Sequence, residues 1–115
     1  MTDHQTKFGY DTEGVREEIK RISEECLEVY SKAHDEYAHD DLTPFRNFES
    51  IGERMGMTRE RVCMVYLLKH LDGIMSHVNG LKAQREPIAG RFTDLHNYLF
   101  ILECMLNERE ERCPN

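Results

Sequence analysis

The motifs that this sequence lacks exclude several kinds of site. It has no Cys-x-x-Cys or His-Glu-x-x-His spacing, no Gly-x-Ser-x-Gly motif and no glycine-rich phosphate loop. No apolar run approaches the roughly 18 residues of a membrane-spanning helix, and no segment alternates with the period of two that is typical of strands. These absences argue against a zinc site, a serine hydrolase, a P-loop and a membrane protein.

Basic residues are also scarce relative to acidic ones. The 115 residues include 15 Lys or Arg and 22 Asp or Glu, a formal net charge of −7. Proteins that bind duplex nucleic acid present a stripe of Lys and Arg to the phosphates, so we expect no duplex DNA or RNA partner. The mean hydropathy of −0.68 is typical of a soluble globular protein. We place one domain at residues 12–109, between tails at 1–11 and 110–115.

No two of the four cysteines have the close spacing of a Cys-x-x-Cys pair or of a metal-binding motif. Cys26, Cys63 and Cys104 lie within helical patterns, where a reduced, half-buried thiol is the usual occupant. Together with the lack of a signal peptide, this use of cysteine predicts a reducing cytoplasm.

What the sequence does contain is helical periodicity along most of its length. Signals for the start and stop of helices, such as Thr58, Pro87 and the pair Asn79-Gly80, divide it into four segments. The predicted helices cover residues 12–39, 45–55, 58–79 and 87–109. We therefore predict an all-α fold, an antiparallel bundle of three long helices and one short helix.

Each long helix carries an apolar stripe that we expect to face the core. The residues of a stripe recur at steps of three and four, the spacing of one helix face. On the first helix the stripe is Val15, Ile19, Ile22, Cys26, Val29, Ala33 and Tyr37. On the third it is Met64, Leu67, Leu68, Leu71, Ile74, Met75 and Val78, and on the fourth Ile88, Phe92, Leu95, Leu99, Leu102 and Leu106.

Polar residues interrupt the apolar fourth helix. At about 100° per residue, Arg91, Asp94 and Tyr98 lie beside its stripe, and Asn97 follows further round. The opposite side is apolar again, with Phe100, Ile101 and Cys104. A helix that is apolar on two sides is either central or at a subunit interface, so we also predict a homo-oligomer, a dimer or larger.

The connector between the first and second helices supplies further polar groups. It should cross one end of the bundle, where loop and helix side chains can meet. Its charged, amide and aromatic residues are Asp35, Glu36, Asp40, Asp41, Arg46 and Asn47, around Tyr37, Phe45 and Phe48. With Lys69 and Arg91 they would form a pocket of carboxylates and cations, which suits a phosphate-bearing ligand with a polar ring. The alternative is that these groups form interhelical ion pairs that fix the helix register.

A metal site is a further interpretation of the carboxylates. Glu25 with Glu28, or Glu36 with Asp40, would offer the oxygen ligands that Mg²⁺ takes in proteins. The alternative is that the glutamates of the first helix form a solvated face. For Glu24, Glu25 and Glu28, a solvated face is the commoner structure of such a run on a helix.

Three segments, taken in order, resemble a known family. They are EYAHDDLTPFRNFESIGERMGMT, LLKHLDGI and EPIAGRFTDLHNYLFIL, which contain the patterns Glu-Tyr-Ala, Phe-x-Asn-Phe, Lys-His and Asp-x-x-Asn-Tyr-Leu. Over residues 34–106 the chain resembles the small helical phage and prophage proteins associated with nucleotide modification. That family looks distantly like the all-α, MazG-like nucleotide pyrophosphatases.

The resemblance implies a nucleotide-like ligand and, for a phage-encoded protein, the cytoplasm of a bacterial host. Carried over position by position, it points to residues that largely coincide with the unexplained polar groups. These are Glu36, Tyr37, Asp40, Phe45, Asn47, Phe48, Lys69, His70, Arg91, Asp94, Asn97 and Tyr98.

The pyrophosphatases of this resemblance hold Mg²⁺ with a Glu-x-x-Glu on one helix and a Glu-x-x-Asp on another. Here Glu25-x-x-Glu28 matches the first pattern. The second reads Arg91-x-x-Asp94 or Lys69-x-x-Asp72, with a cation in place of a ligand. This departure favours direct contact of Lys69 and Arg91 with phosphate.

Three hypotheses about function follow. In the first, the protein binds and sequesters a nucleotide-like phosphorylated ligand, with Asp94 and Asn97 on its ribose or base and an aromatic ring stacked on it. In the second, it is a Mg²⁺-dependent nucleotide pyrophosphatase with the ligands Glu25, Glu28, Glu36 and Asp94. In the third, it is an acidic protein that acts on a host protein and has no small-molecule site.

Overall fold

Four helices make up nearly all of the structure, a computed structural model that describes residues 5–6, 9–37, 42–81 and 87–112. The helices are α1 (Thr12–Tyr37), α2 (Arg46–Met55), α3 (Arg59–Val78) and α4 (Ile88–Arg112). Two-residue strands, β1 (Gln5–Thr6) and β2 (Gly9–Tyr10), pair antiparallel within the predicted tail. The fold is therefore the predicted all-α bundle of three long helices and one short helix.

Local hydrogen bonds explain where the helices begin and end. At the start of α1, Asp11 Oδ1 accepts from Gly14 N at 2.7 Å. At the start of α3, Thr58 Oγ1 accepts from Arg61 N at 3.2 Å, which confirms the predicted N-cap. Gly56 ends α2 with a φ of 68°, a left-handed conformation that favours glycine.

One helix end differs from the prediction. The helix α4 continues past Arg109 to Arg112, and no glycine or proline interrupts residues 91–112. The described part of α1 reaches Tyr37, and the predicted end at His39 lies outside the described residues.

The helix α4 lies in the middle of the bundle, packed against both α3 and α1. It is antiparallel to α3, since Arg59 reaches the Met105 carbonyl near one end and His70 faces Asp94 further along. It is parallel to α1, because residues 21–25 line a cleft with residues 89–96 and residues 23–30 line another with residues 97–104. The short helix α2 packs against α3.

The core lies where α2 and its preceding loop meet α3 and α4. Cys63 and Met105 are fully buried there, together with Phe45. Partly buried side chains pack around them, namely Phe48, Tyr98, Ile101 and Leu102. Because Phe45 directly precedes α2, the burial of its ring anchors the connector to the bundle.

Arg59 joins three helices at this end of the bundle. Its side chain is only 12% exposed, lies over the Phe45 ring at 5.1 Å and donates to the Met105 carbonyl at 3.3 Å. Carboxylates from all three helices surround it: Glu49 at 3.8 Å, Glu60 at 3.4 Å and Glu108 at 3.7 Å. A largely buried guanidinium with this many partners fixes the positions of α2 and α4 relative to α3.

Much of each predicted core stripe is exposed, and this corrects the expectation that the stripes face the core. In the described part of the α1 stripe, only Cys26 is buried. On α3 and α4 the exposed members are Met64, Leu68, Met75, Val78, Phe92 and Leu99. The reason is that α4 turns its Arg91, Tyr98 and Met105 side toward α3. Even with this exposed apolar surface, none of the described helices combines the length and apolarity needed to span a bilayer.

A close approach within the α2–α3 turn requires glycine at position 52. A Cβ there would lie 2.5 Å from the backbone oxygen of Met57, whose own N–H donates to the Gly52 carbonyl at 2.8 Å. Since backbone atoms cannot move aside, we expect Gly52→Ala to lower the free energy of unfolding by about 1–3 kcal/mol.

Gly90→Ala in α4 is the matched control, because nothing lies within 4 Å of a Cβ at that position. The added methyl group should leave stability unchanged or raise it by up to about 1 kcal/mol. Urea denaturation followed by circular dichroism measures both variants. Equal stability of the two would show that the Met57 carbonyl does not constrain position 52.

Candidate functional site

His70 and Asp94 face each other across the contact between α3 and α4, here called the seam. His70 is buried, and its Nε2 lies 3.6 Å from Asp94 Oδ2. This distance is too long for a direct hydrogen bond, so the contact is electrostatic and becomes an ion pair when the imidazole is protonated. The other ring nitrogen, Nδ1, is buried and has no hydrogen-bond partner in the described part of the chain.

Arg91 lies one turn before Asp94 on α4 and crosses onto α3 at Gly73. A Cβ at Gly73 would lie 2.5 Å from Arg91 Cδ and Cζ, so the absence of a side chain makes room for the arginine. Arg91 Nε is buried without a partner, and no carboxylate in the described ranges forms an ion pair with the guanidinium. A half-buried cation in this state is costly unless an anion reaches it.

Stacked rings continue from His70 toward the core. The His70 ring stacks on Tyr98 at 5.5 Å between centroids, and Tyr98 stacks on Tyr66 at 5.7 Å. Phe48 packs edge-on against both tyrosines. Burial raises the pKa of the Cys63 thiol to about 11, so it stays protonated and donates to the Tyr98 carbonyl at 3.4 Å. These contacts hold the imidazole in one orientation.

Two of the predicted site residues make other contacts. Asn97 Nδ2 donates to the Cys26 carbonyl at 3.0 Å and so ties α4 to α1. Lys69 is exposed and lines a cleft of about 400 Å³ between α2 and α3. The other side chains of that cleft are Ile51, Met55, Met57, Val62, Val65 and Tyr66. The structure thus groups Arg91, Asp94 and His70 at the seam, with Asn97 and Lys69 placed elsewhere.

The connector contributes less to the seam than the sequence suggested. Phe45 is buried in the core, and Asn47 is exposed on α2. The side chains of Glu36 and Tyr37, and all of Asp40, lie outside the described residues. The predicted role of these last three residues therefore stays a prediction.

Phe45 and Asn97 instead share a cleft of about 470 Å³ between α1, α4 and the start of α2. Its remaining lining residues are Ser23, Leu27, Tyr30, Pro44, Phe100, Ile101 and Cys104. Among the lining residues that the structure describes, none carries a charged side chain. The cleft therefore suits an apolar group rather than a phosphate.

The carboxylates predicted as metal ligands are engaged separately. Glu25 accepts from Arg21 at 2.9 Å, and Glu28 lies 3.4 Å from Lys32, both on the exposed face of α1. Asp94 faces the seam. Among the side chains that the structure describes, no group of three His, Cys, Asp or Glu is placed to hold a metal ion.

Two residues of the site escaped the sequence analysis. Gly73 had a usable signal, since a glycine inside an apolar helix is unfavourable unless another group approaches closely. Tyr66 had none, because it lies opposite the apolar stripe of α3, on the side that helical periodicity assigns to solvent. Its ring is covered by Phe48 of α2 and by Tyr98 of α4.

Comparison of the chain with protein-family models, with curated proteins and with solved structures finds no match. The resemblance to the phage nucleotide-modification proteins stays a prediction.

Because Asn97 donates a hydrogen bond to the Cys26 carbonyl, substitution of Asn97 should weaken the attachment of α4 to α1. Asn97→Ala removes a partly buried hydrogen bond, so we expect a loss of about 1 kcal/mol in stability and faster hydrogen exchange in α1. Asn107→Ala, at an exposed position of α4, is the matched control and should change neither. Exchange in α1 that is identical in the two variants would contradict the assignment.

The cysteines should differ sharply in reactivity. Cys104 is exposed, whereas Cys26 and Cys63 are buried, and burial raises the pKa of both buried thiols. Because the thiolate is the reactive form, we expect one fast thiol at about pH 8 in a Cys113→Ser background. Further substitution of Cys104→Ser should remove the fast labelling. Denaturation should expose Cys26 and Cys63 and make both of them label rapidly. Rapid labelling of Cys63 in the folded protein, measured by mass spectrometry, would contradict its burial.

Proposed function

We propose that the protein binds a small phosphorylated, nucleotide-like ligand at the seam and holds it without turnover. The observation that carries the proposal is the state of Arg91, whose Nε is buried without a partner. Guanidinium groups bind phosphate oxygens through paired, charge-assisted hydrogen bonds. A phosphate at the accessible part of this guanidinium would supply the counter-charge that the described residues do not provide.

The neighbours of Arg91 support the same interpretation. His70 Nδ1 is a second buried nitrogen without a partner, and leaving such a group unpaired costs about 1–3 kcal/mol. The Asp94 side chain is 44% exposed beside His70. A carboxylate of this kind accepts hydrogen bonds from a sugar hydroxyl or a base N–H. The site thus contains polar atoms for both parts of a nucleotide.

The overall charge favours a small ligand over a nucleic acid. A chain with a net charge of −7 repels a polyanion along its whole surface. Repulsion between exposed charges is screened beyond about 10 Å at ordinary salt, so a single nucleotide at a local cation is affected much less.

Binding without hydrolysis agrees with the residue at position 91. The pyrophosphatases that the sequence resembles have a metal-binding carboxylate there, whereas this chain has the unpaired arginine. Glu25 and Glu28, the carboxylates that match the other metal-binding pattern, pair with Arg21 and Lys32. A protein that retains a nucleotide in this way would sequester it from other enzymes.

Gly73→Ala provides a sharp test because its Cβ would displace the Arg91 side chain without deleting it. The fold should persist, since the arginine is flexible and alanine favours the helix by about 1 kcal/mol over glycine. With nucleoside mono-, di- and triphosphates and pyrophosphate as probes, we expect Gly73→Ala and Arg91→Ala each to raise the Kd on the order of 10- to 100-fold. Gly90→Ala is the matched control and should bind as the wild type does. Isothermal titration calorimetry measures all four proteins.

Three results would contradict the proposal. Wild-type protein that binds none of the probes would favour the acidic protein with a protein partner. Unchanged Kd in both Gly73→Ala and Arg91→Ala would place the ligand away from the seam. Release of phosphate or pyrophosphate in the presence of Mg²⁺ would show turnover and favour the pyrophosphatase.

A further inference from the structure

The helix α2 packs on one side of the α3–α4 pair, and α1 packs behind α4, displaced toward that same side. The helix α1 contacts α4 around Asn97 and Phe100, and α2 contacts α3 around Val62 and Tyr66. Each helix turns by about 100° per residue, so the position of a side chain around its helix can be compared with that of the residues at the seam. On α3 and on α4, the contact residues are rotated away from the seam in the same direction, viewed from the N terminus of each helix. In two antiparallel helices, the same direction of rotation corresponds to the same side of the pair.

On the opposite side Phe92 lies at the edge and lines a cleft with Arg21, Ile22 and Glu25 of α1. Apart from that edge, the opposite side is covered by no helix in the part of the chain that the structure describes.

This uncovered side, here called the outer face, is apolar along its length. On α3 it consists of Met64, Leu68, Leu71, Met75 and Val78, and on α4 of Phe92, Leu95, Leu99, Leu102 and Leu106. Six of these side chains are 38 to 76% exposed, and none of the ten is charged. In both helices they recur at alternating steps of three and four, the heptad spacing with which one helix packs against another.

The two halves of the outer face lie side by side. Across the seam, Cys63 contacts the Tyr98 carbonyl and His70 faces Asp94. This register sets Leu68 level with Leu95. Each half is therefore about 21 Å long, since an α-helix rises about 1.5 Å per residue, and the two halves lie side by side over residues 64–71 and 92–99, a length of about 10 Å.

The size of the outer face approaches what a standard dimer interface buries. Its six most exposed side chains present on the order of 600 Å² of apolar surface, the upper end of the range for the largest patch of a typical monomer. A standard interface buries about 800 Å² per partner. The four less exposed leucines of the outer face would add to its apolar area and bring the total close to that value. A flat layer of two antiparallel helices is also self-complementary, because a second identical layer completes a four-helix bundle.

We propose that a second copy of this chain packs against the outer face, so that two α3–α4 pairs form a symmetric four-helix core. The charge distribution favours this occupant. The densest run of glutamates is on α1, namely Glu13, Glu17, Glu18, Glu24, Glu25 and Glu28, on the other side of the α3–α4 pair. Like charges of two copies therefore stay in solvent, away from the contact.

The test is the molar mass of the protein and of three variants by light scattering at about 50 µM, a concentration well above the Kd expected of a standard interface. The wild type should give about 27 kDa, twice the chain mass of 13.6 kDa. Leu68→Glu and Leu99→Glu place a charge in the apolar contact and should give the mass of one chain while circular dichroism shows retained helix. Leu27→Glu is the matched control, an exposed leucine of α1 on the other side, and should stay dimeric.

The oxidation of methionines by hydrogen peroxide tests the same contact in the wild-type protein. Met75 and Met55 are both more than half exposed in the single chain, but only Met75 lies in the outer face. A second copy would protect Met75 from oxidation by hydrogen peroxide and leave Met55 reactive. A monomeric wild type, a dimer that survives Leu68→Glu and Leu99→Glu, or equal oxidation of Met75 and Met55 would overturn the proposal.

Discussion

The close approach of α3 and α4 is the constraint on which the rest of the structure depends. Gly73 has no side chain, so Arg91 can lie across α3, and the small thiol of Cys63 reaches the backbone of the opposite helix. These contacts set one antiparallel register, which places His70 opposite Asp94. The helix α2 then packs on one side of this pair, and α1 packs behind α4. The fold, the candidate site and the uncovered apolar face all follow from how these two helices meet.

Ionisable groups at the seam make this alignment specific, and they carry a free-energy cost. Heptad stripes of leucine and methionine alone pack almost equally well after a shift of one repeat. The fit of Arg91 over Gly73 and the contact of His70 with Asp94 exist in only one register. The cost is concentrated in two buried nitrogens without partners, Arg91 Nε and His70 Nδ1. An anion at the seam would remove much of that cost, which is why the same residues serve both folding and the proposed binding.

Both ends of the turn between α2 and α3 could be predicted from the sequence because they depend on neighbours along the chain, as the caps at Thr58 and Gly56 show. The buried faces could not, because α3 and α4 are apolar over so much of their circumference that periodicity does not select one side. Arg91 and Asp94 were identified because they interrupt an apolar helix. Asn97 interrupts it equally, but its partner is a backbone carbonyl of α1, and no pattern of side chains encodes that contact.

Arg91 connects the proposed ligand site to the proposed dimer, since the next residue, Phe92, belongs to the outer face. A second copy would remove water from around Phe92 and lower the local dielectric near the guanidinium. An unpaired charge there would then cost more, and its attraction for a phosphate would be stronger. By linkage, if phosphate binds the dimer more tightly than the monomer, phosphate must stabilise the dimer by that same difference in binding free energy. A nucleotide held in this way would dissociate slowly, as a protein that retains its ligand without turnover requires.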